Sequence, residues 1–109
     1  MEFLVHILIT PPQGTDPDEV TARVAEEGAR AAALASQGTI RRLWRPADQR
    51  GLWRNIGLWS AGSETELRAA IDSLPLSPWM TVEVTALAEH PSDPLRAGAA
   101  PSTTEGASA

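Results

Sequence analysis

The chain of 109 residues contains no cysteine and no tyrosine. Without cysteine it has no disulfide framework and no thiolate metal site. It has no basic run either, and its formal net charge is −5. Such a chain lacks the electrostatic footprint that draws proteins onto phosphate backbones, so nucleic acid is not an expected partner. No apolar run approaches the ~20 residues of a membrane-spanning helix, and no membrane partner is expected. The opening, MEFLVHILIT, shows no basic leader and no small-residue cleavage site, and is not read as a secretory signal. The expectation is a soluble cytoplasmic protein. Glycine-rich phosphate loops, Ser-His-Asp signatures and metal-ligand clusters are all missing, and no short spacing pairs the two histidines, His6 and His90. No metal and no cofactor are therefore expected.

What the chain does hold is tryptophan: Trp44, Trp53, Trp59 and Trp79. Large aromatics concentrate in cores, pockets and interfaces. The length suits one small domain with a single core, expected over residues 1–95. Beyond it the sequence runs AGAAPSTTEGASA, too small and polar to offset ordering entropy, so 96–109 is read as a disordered tail.

Within 1–95 the periodicity alternates between two kinds. Glu2–Thr10 alternates as a strand with both faces at least partly covered, and Pro11, Pro12 and Gly14 end it. A helix is expected from about Asp16 to Gln37. Thr15 or Asp16 caps it, Pro17 suits its first turn, and Gly38 follows its end. Thr39–Arg45 and Leu52–Ser60 read as a strand pair joined by a polar turn containing Gly51. In the first of these, Arg41, Leu43 and Arg45 share one face, and Ile40, Arg42 and Trp44 the other. In the second, Trp53, Asn55, Gly57 and Trp59 share a face opposite Leu52, Arg54, Ile56 and Leu58. Ser63 starts a second helix, with Glu66 three residues on as a capping box, and Pro75 stops it. Met80–Ala88 alternates again. The order strand, helix, strand, strand, helix, strand is the ferredoxin-like split unit, an α+β fold in which two helices cover one face of a four-stranded antiparallel sheet. Its other face is bare and needs a partner, so at least a dimer is expected. Leu4, Leu8, Trp53 and Trp59 are the candidates for burial there.

The residue with most chemical interest lies in the first helix. On a wheel turning about 100° per residue from Val20, Val24 falls near +40°, Ala31 near +20° and Leu34 near −40°. Glu27 falls near −20°, inside this apolar stripe, whereas Glu26 lies on the polar flank. A carboxylate aimed at the interior must find partners or have its pKa raised, and a raised carboxylate is what a general base requires. The alternative is a small rotation that lets Glu27 reach water. Arg41, Arg42 and Arg45 crowd one strand and suit a carboxylate ligand; the alternative is ion pairing with Glu83, Glu26 or other local acids. His6 is read as a satisfied structural histidine and His90 as a surface or interface residue.

Two longer patterns carry a resemblance. Gly38-Thr39, Arg41 and Leu43-Trp44-Arg45 resemble the GTxRxLWR strand of the muconolactone Δ-isomerase family. Leu74-Pro75-Leu76, Pro78, Met80, Glu83-Val84, Leu87 and His90-Pro91-Ser92 are similar to its LPLxPxMxxEVxxLxxHPS ending. The likeness spans residues 1–93. It implies a ferredoxin-like fold assembled as dimers or a larger ring such as a decamer. It also implies a cofactor-free isomerase of the 3-oxoadipate (β-ketoadipate) pathway of aromatic degradation, converting muconolactone to 3-oxoadipate enol-lactone. Glu27 aligns with a glutamate of the family helix and is the expected proton-transfer base. Arg41 and Arg45 align with motif arginines, as candidates for the substrate carboxylate or a structural pair with Glu27. Asn55 aligns with an asparagine that can donate to the lactone carbonyl.

The chain departs from the family in its 47–53 segment, in having no tyrosine, and in lacking the family's mid-helix lysine, for which Arg23 is the nearest basic residue. Trp53 and Trp59 replace smaller or differently polar rings, and these changes line the expected pocket. Two alternatives stand beside the leading reading: an isomerase or dehalogenase of another substituted lactone, and a non-catalytic oligomer that binds a small acid. A pathway regulator is disfavoured because nothing here reads DNA.

Overall fold

The computed structural model of the protein describes residues 1–48 and 51–96. The expected tail, apart from Arg96, lies outside the described residues, as do Gln49 and Arg50 of the turn.

The chain forms β1 (Glu2–Ile9), α1 (Pro17–Ser36), β2 (Ile40–Trp44), β3 (Trp53–Ser60), α2 (Glu64–Asp72), a 3-10 turn (Ser77–Trp79) and β4 (Met80–Leu87). Local chemistry sets the ends. Asp16 caps α1 by accepting the Asp18 N–H at 2.8 Å, with Pro17 in the first turn. Past the other end, Gly38 takes φ +83° and turns the chain toward β2, a conformation that costs glycine little. Ser63 caps α2 by accepting the Glu66 N–H at 3.1 Å. The reciprocal bond of the box reaches one residue further than expected, from the Gly62 N–H to Glu66 Oε1 at 3.1 Å. The helix ends at Asp72 with Ser73 as its C-cap, before Pro75 is reached.

The strands form one antiparallel sheet in the order β2-β3-β1-β4, the order of the ferredoxin-like split unit. β1 is central, and its odd residues face the helices. Phe3, Val5, Ile7 and Ile9 join Leu34 of α1, Leu67 and Ile71 of α2, and Leu74, Leu76 and Trp79 of the segment before β4 in one core. Register carries the same face outward: Phe3 stands opposite Trp59 and Ala86, Val5 opposite Gly57 and Val84, Ile7 opposite Asn55 and Val82, and Ile9 opposite Trp53 and Met80.

That register corrects one expectation. Trp53 and Trp59 do not lie on the bare face. Trp59 is buried in the helix-side core and Trp53 packs against it. The face-sharing set of β3 is as expected; its direction follows from pairing with Phe3 and Ile9, which are non-local. The open face instead carries Leu4, Leu8, Ile56 and Leu58, all half-buried, with His6, Arg54 and Glu83 among them.

A second correction concerns β2. A bulge between Ile40 and Arg42 breaks the alternation, because an extra residue on one strand shifts which side its successors face. Ile40 stays in the core opposite Trp59, while Arg42 and Trp44 pair with Leu58 and Ile56 of the open face. Val24 departs from the wheel as well: at 43% exposure it sits at the margin of the α1 stripe and outside the core.

Candidate functional site

Glu27 lies on the interior side of α1, partly buried, and its Oε1 accepts the backbone N–H of Leu76 at 2.9 Å. Burial pushes its carboxyl pKa above the ordinary value, and the bond from Leu76 offsets part of that rise. Desolvation penalises the anion, whereas a donor aimed at a carboxylate favours it. No ion pair joins Glu27 to any of the described residues. Glu27 thus sits at the edge of the apolar stripe, partly exposed, with one carboxylate oxygen turned to the Leu76 N–H.

Asn55 lies in β3 on the face that α1 and α2 cover. Its side-chain Oδ1 is buried and has no hydrogen-bond partner. Oxygen and nitrogen of an amide are exchangeable by a half-turn, so the same group can present an N–H to a ligand oxygen. Buried polar groups without partners are rare and call for a reason. A cavity of about 480 Å³ is lined by Asn55, Trp53 and Arg45 together with Gly51, Leu52 and Arg54. It opens where β2 ends and β3 begins. Close by, Leu43, on the helix side of β2, remains 51% exposed.

The structure thus brings together three of the expected site residues, Arg45, Trp53 and Asn55. Glu27 and Arg41 are not part of that cavity's wall. Arg41 and Arg45 are exposed and make no hydrogen bond or ion pair among the described residues, so the expected pairing with Glu27, Glu26 or Glu83 does not occur there. Arg42 stacks on Trp44 on the open face, with its guanidinium 5.0 Å from the ring centre. Among the described residues no group of three His, Cys, Asp or Glu side chains is placed to hold a metal ion.

A second cavity, of about 290 Å³, is centred on the open sheet face at His6, Arg54, Thr81 and Glu83, and Arg54 and Asn55 line both cavities. His6 is therefore an exposed residue of this hollow, which corrects its reading as a satisfied structural histidine. His90 is exposed and accepts the Ser92 N–H on Nδ1 at 2.9 Å.

Two groups around the site were not singled out from sequence. The Leu76 N–H that binds Glu27 comes from 49 residues away, and no local pattern announces it. Arg23 drew notice only as a basic residue. Its spacing of four from both Glu19 and Glu27 was the available signal, since such residues share a helix face.

The described geometry meets known proteins at several points. A family profile described as "Muconolactone delta-isomerase" matches residues 1–93. The muconolactone Delta-isomerase of Pseudomonas aeruginosa is 35% identical over 92 residues, covering 84% of this chain and 93% of that protein. The muconolactone Delta-isomerase of Rhodococcus opacus is 31% identical over 91 residues, covering 84% and 95%. A crystal structure of muconolactone isomerase superposes with a TM-score of 0.76 at 35% identity, covering 85% of this chain and 94% of that one. The fold alone is shared with a 5-chloro-2-hydroxyhydroquinone dehydrochlorinase from Burkholderia phenoliruptrix, at 15% identity and a TM-score of 0.55. The chain belongs to the muconolactone delta-isomerase family, a family of isomerases.

Proposed function

We propose that the protein isomerises muconolactone, or a closely related unsaturated lactone acid, to the enol-lactone by a cofactor-free 1,3-proton shift, with Glu27 as the base. The observation that carries this reading is the inward carboxyl of Glu27, raised in pKa by burial and held by a single backbone donor. A base working near neutral pH gains from a pKa near that pH. Ionised Glu27 takes the proton from C4 of the lactone; the electron pair delocalises through C3 and C2 into the carbonyl as a dienolate. Return of a proton at C2 leaves the double bond between C3 and C4. Asn55 is the candidate donor to the carbonyl oxygen, where negative charge grows in the transition state. Arg45, beside it in the cavity, and Arg41 are the candidates for the carboxymethyl group, with a forked guanidinium meeting a carboxylate. Trp53 supplies an apolar wall.

On this reading the step belongs to the β-ketoadipate route of aromatic breakdown, and we propose that it runs in the cytoplasm. We also assign the half-buried Leu4, Leu8, Ile56 and Leu58 of the open sheet face to contact with a second copy, within a dimer or a larger ring such as a decamer. An apolar face of this kind is ordinarily covered.

Ultraviolet-monitored turnover of (+)-muconolactone by the purified protein tests the activity. Conversion to the enol-lactone is the expected result. A folded protein that converts neither muconolactone nor its chlorinated and methylated analogues would overturn it in favour of a small-acid-binding role.

A further inference from the structure

Arg23 and Glu27 stand one helical turn apart on α1, and both reach the same peptide unit. Arg23 Nη1 donates to the carbonyl oxygen of Pro75 at 2.9 Å. The N–H at the other end of that peptide, on Leu76, donates to Glu27 Oε1 at 2.9 Å. One amide plane is thus clamped between a guanidinium and a carboxylate of the same helix. The clamp is itself held. Arg23 Nε bonds Glu19 at 3.2 Å, its guanidinium lies 4.8 Å from the centre of the Trp79 ring, and the Trp79 carbonyl accepts the Thr10 N–H at 2.8 Å. One turn further along, Arg30 Nε reaches Ser73 Oγ at 3.0 Å. Three α1 residues, at 23, 27 and 30, therefore grip the segment between α2 and β4.

We propose that Arg23 is a positioning residue for Glu27, acting through the Pro75–Leu76 peptide. A cation at the carbonyl end polarises the amide, and chained hydrogen bonds strengthen one another. The Leu76 N–H then binds Oε1 more firmly, fixes the carboxylate plane and leaves Oε2 as the oxygen that takes a proton. The carboxylate gets its orientation from a neutral amide, so no cation has to touch it. A direct arginine pair would hold the pKa down strongly and weaken the base; the relayed contact orients Glu27 with a smaller lowering. The other charged groups of the two helices are Asp18, Glu19, Glu26 and Arg30 on α1, and Glu64, Glu66, Arg68 and Asp72 on α2. None of them forms an ion pair with Glu27.

The inference rests on Glu27 as base only for its kinetic half, so the test reads both halves. Protein carrying carbon-13 in its glutamate carboxyls is titrated by NMR as wild type, Arg23→Gln and Arg23→Lys, with the Glu27 signal assigned by its loss in Glu27→Gln. In Arg23→Gln the Glu27 titration is expected to move to higher pH. The acid limb of kcat/KM moves with it, kcat falls roughly tenfold from misorientation, and KM stays within about twofold. Arg23→Lys keeps a charge and one donor and recovers part of each change. It also carries the test should Arg23→Gln fail to fold. A Glu27 titration that superimposes on wild type in a folded variant overturns the relay. A titration that moves while the rate profile ignores it upholds the relay and removes Glu27 from the base role.

Discussion

Glu27→Gln is expected to lower kcat on the lactone substrate by roughly 100- to 10,000-fold, the range for losing a positioned general base, while the protein stays folded. Glutamine is nearly isosteric, and its carbonyl oxygen still accepts the Leu76 N–H that Glu27 accepts at 2.9 Å. The substitution removes the proton-accepting function and little else. Stability should also change its dependence on pH. Burial raises the folded-state pKa of Glu27 above the ordinary carboxyl value, so the folded protein holds this proton more tightly than the unfolded chain. The group's favourable contribution is fully present below the unfolded pKa and is lost as pH rises through the folded one. Glu27→Gln abolishes that loss, so near neutral pH it should be at least as stable as wild type by thermal unfolding. A clear drop in stability with activity retained would make Glu27 a structural tie between α1 and the Leu76 turn.

Gly57→Ala should produce the other large effect, on stability. A Cβ at Gly57 would stand 2.5 Å from Trp59 Nε1, 2.9 Å from Trp59 Cδ1 and 3.1 Å from Leu43 Cδ2. Trp59 is 1% exposed and cannot swing away, so the clash must be relieved by shifting a packed core. Overpacking of this kind costs about 1–3 kcal/mol. The tryptophan at 59 and the glycine at 57 form one packing unit: the indole folds back along β3 into space that only a missing side chain provides. Trp59→Phe removes the Nε1 that makes the closest contact, so the double variant should recover much of the loss on chemical denaturation. Additive costs would show that the two residues are independent.

The Trp59–Gly57 pair also shows what the sequence made legible. Alternation put Trp53, Asn55, Gly57 and Trp59 on one face, because that period is local. Which face it is depends on pairing with Phe3 and Ile9, more than forty positions away, so alternation alone does not tell that the bulky rings turn toward the helices. In β2 the alternation itself failed, since the bulge after Ile40 has no signature in IRRLW. Caps and helix ends were readable because Asp16, Pro17, Gly38 and Ser63 act on neighbours within a few residues. Glu27 stood out because a 3.6-residue period is also local. Its partner did not, because Leu76 offers only a backbone N–H. Of the site, the grouping of Arg45 with Trp53 and Asn55 follows from the β2–β3 pairing that the glycine-bearing turn suggested. The orphaned amide of Asn55 and the clamp by Arg23 belong to tertiary packing and needed the structure.

The proposed mechanism turns on Glu27 as a proton carrier whose pKa is raised by burial. The most direct test is to titrate the Glu27 carboxyl carbon by NMR and set the result beside the pH dependence of kcat/KM for the wild-type protein. Glu27 is expected to titrate above the ordinary carboxyl value, with the acid limb of kcat/KM falling at the same pH, since in this mechanism only the ionised form removes the C4 proton. A Glu27 carboxyl that titrates at or below its ordinary value, or a rate limb lying at a different pH, would contradict it.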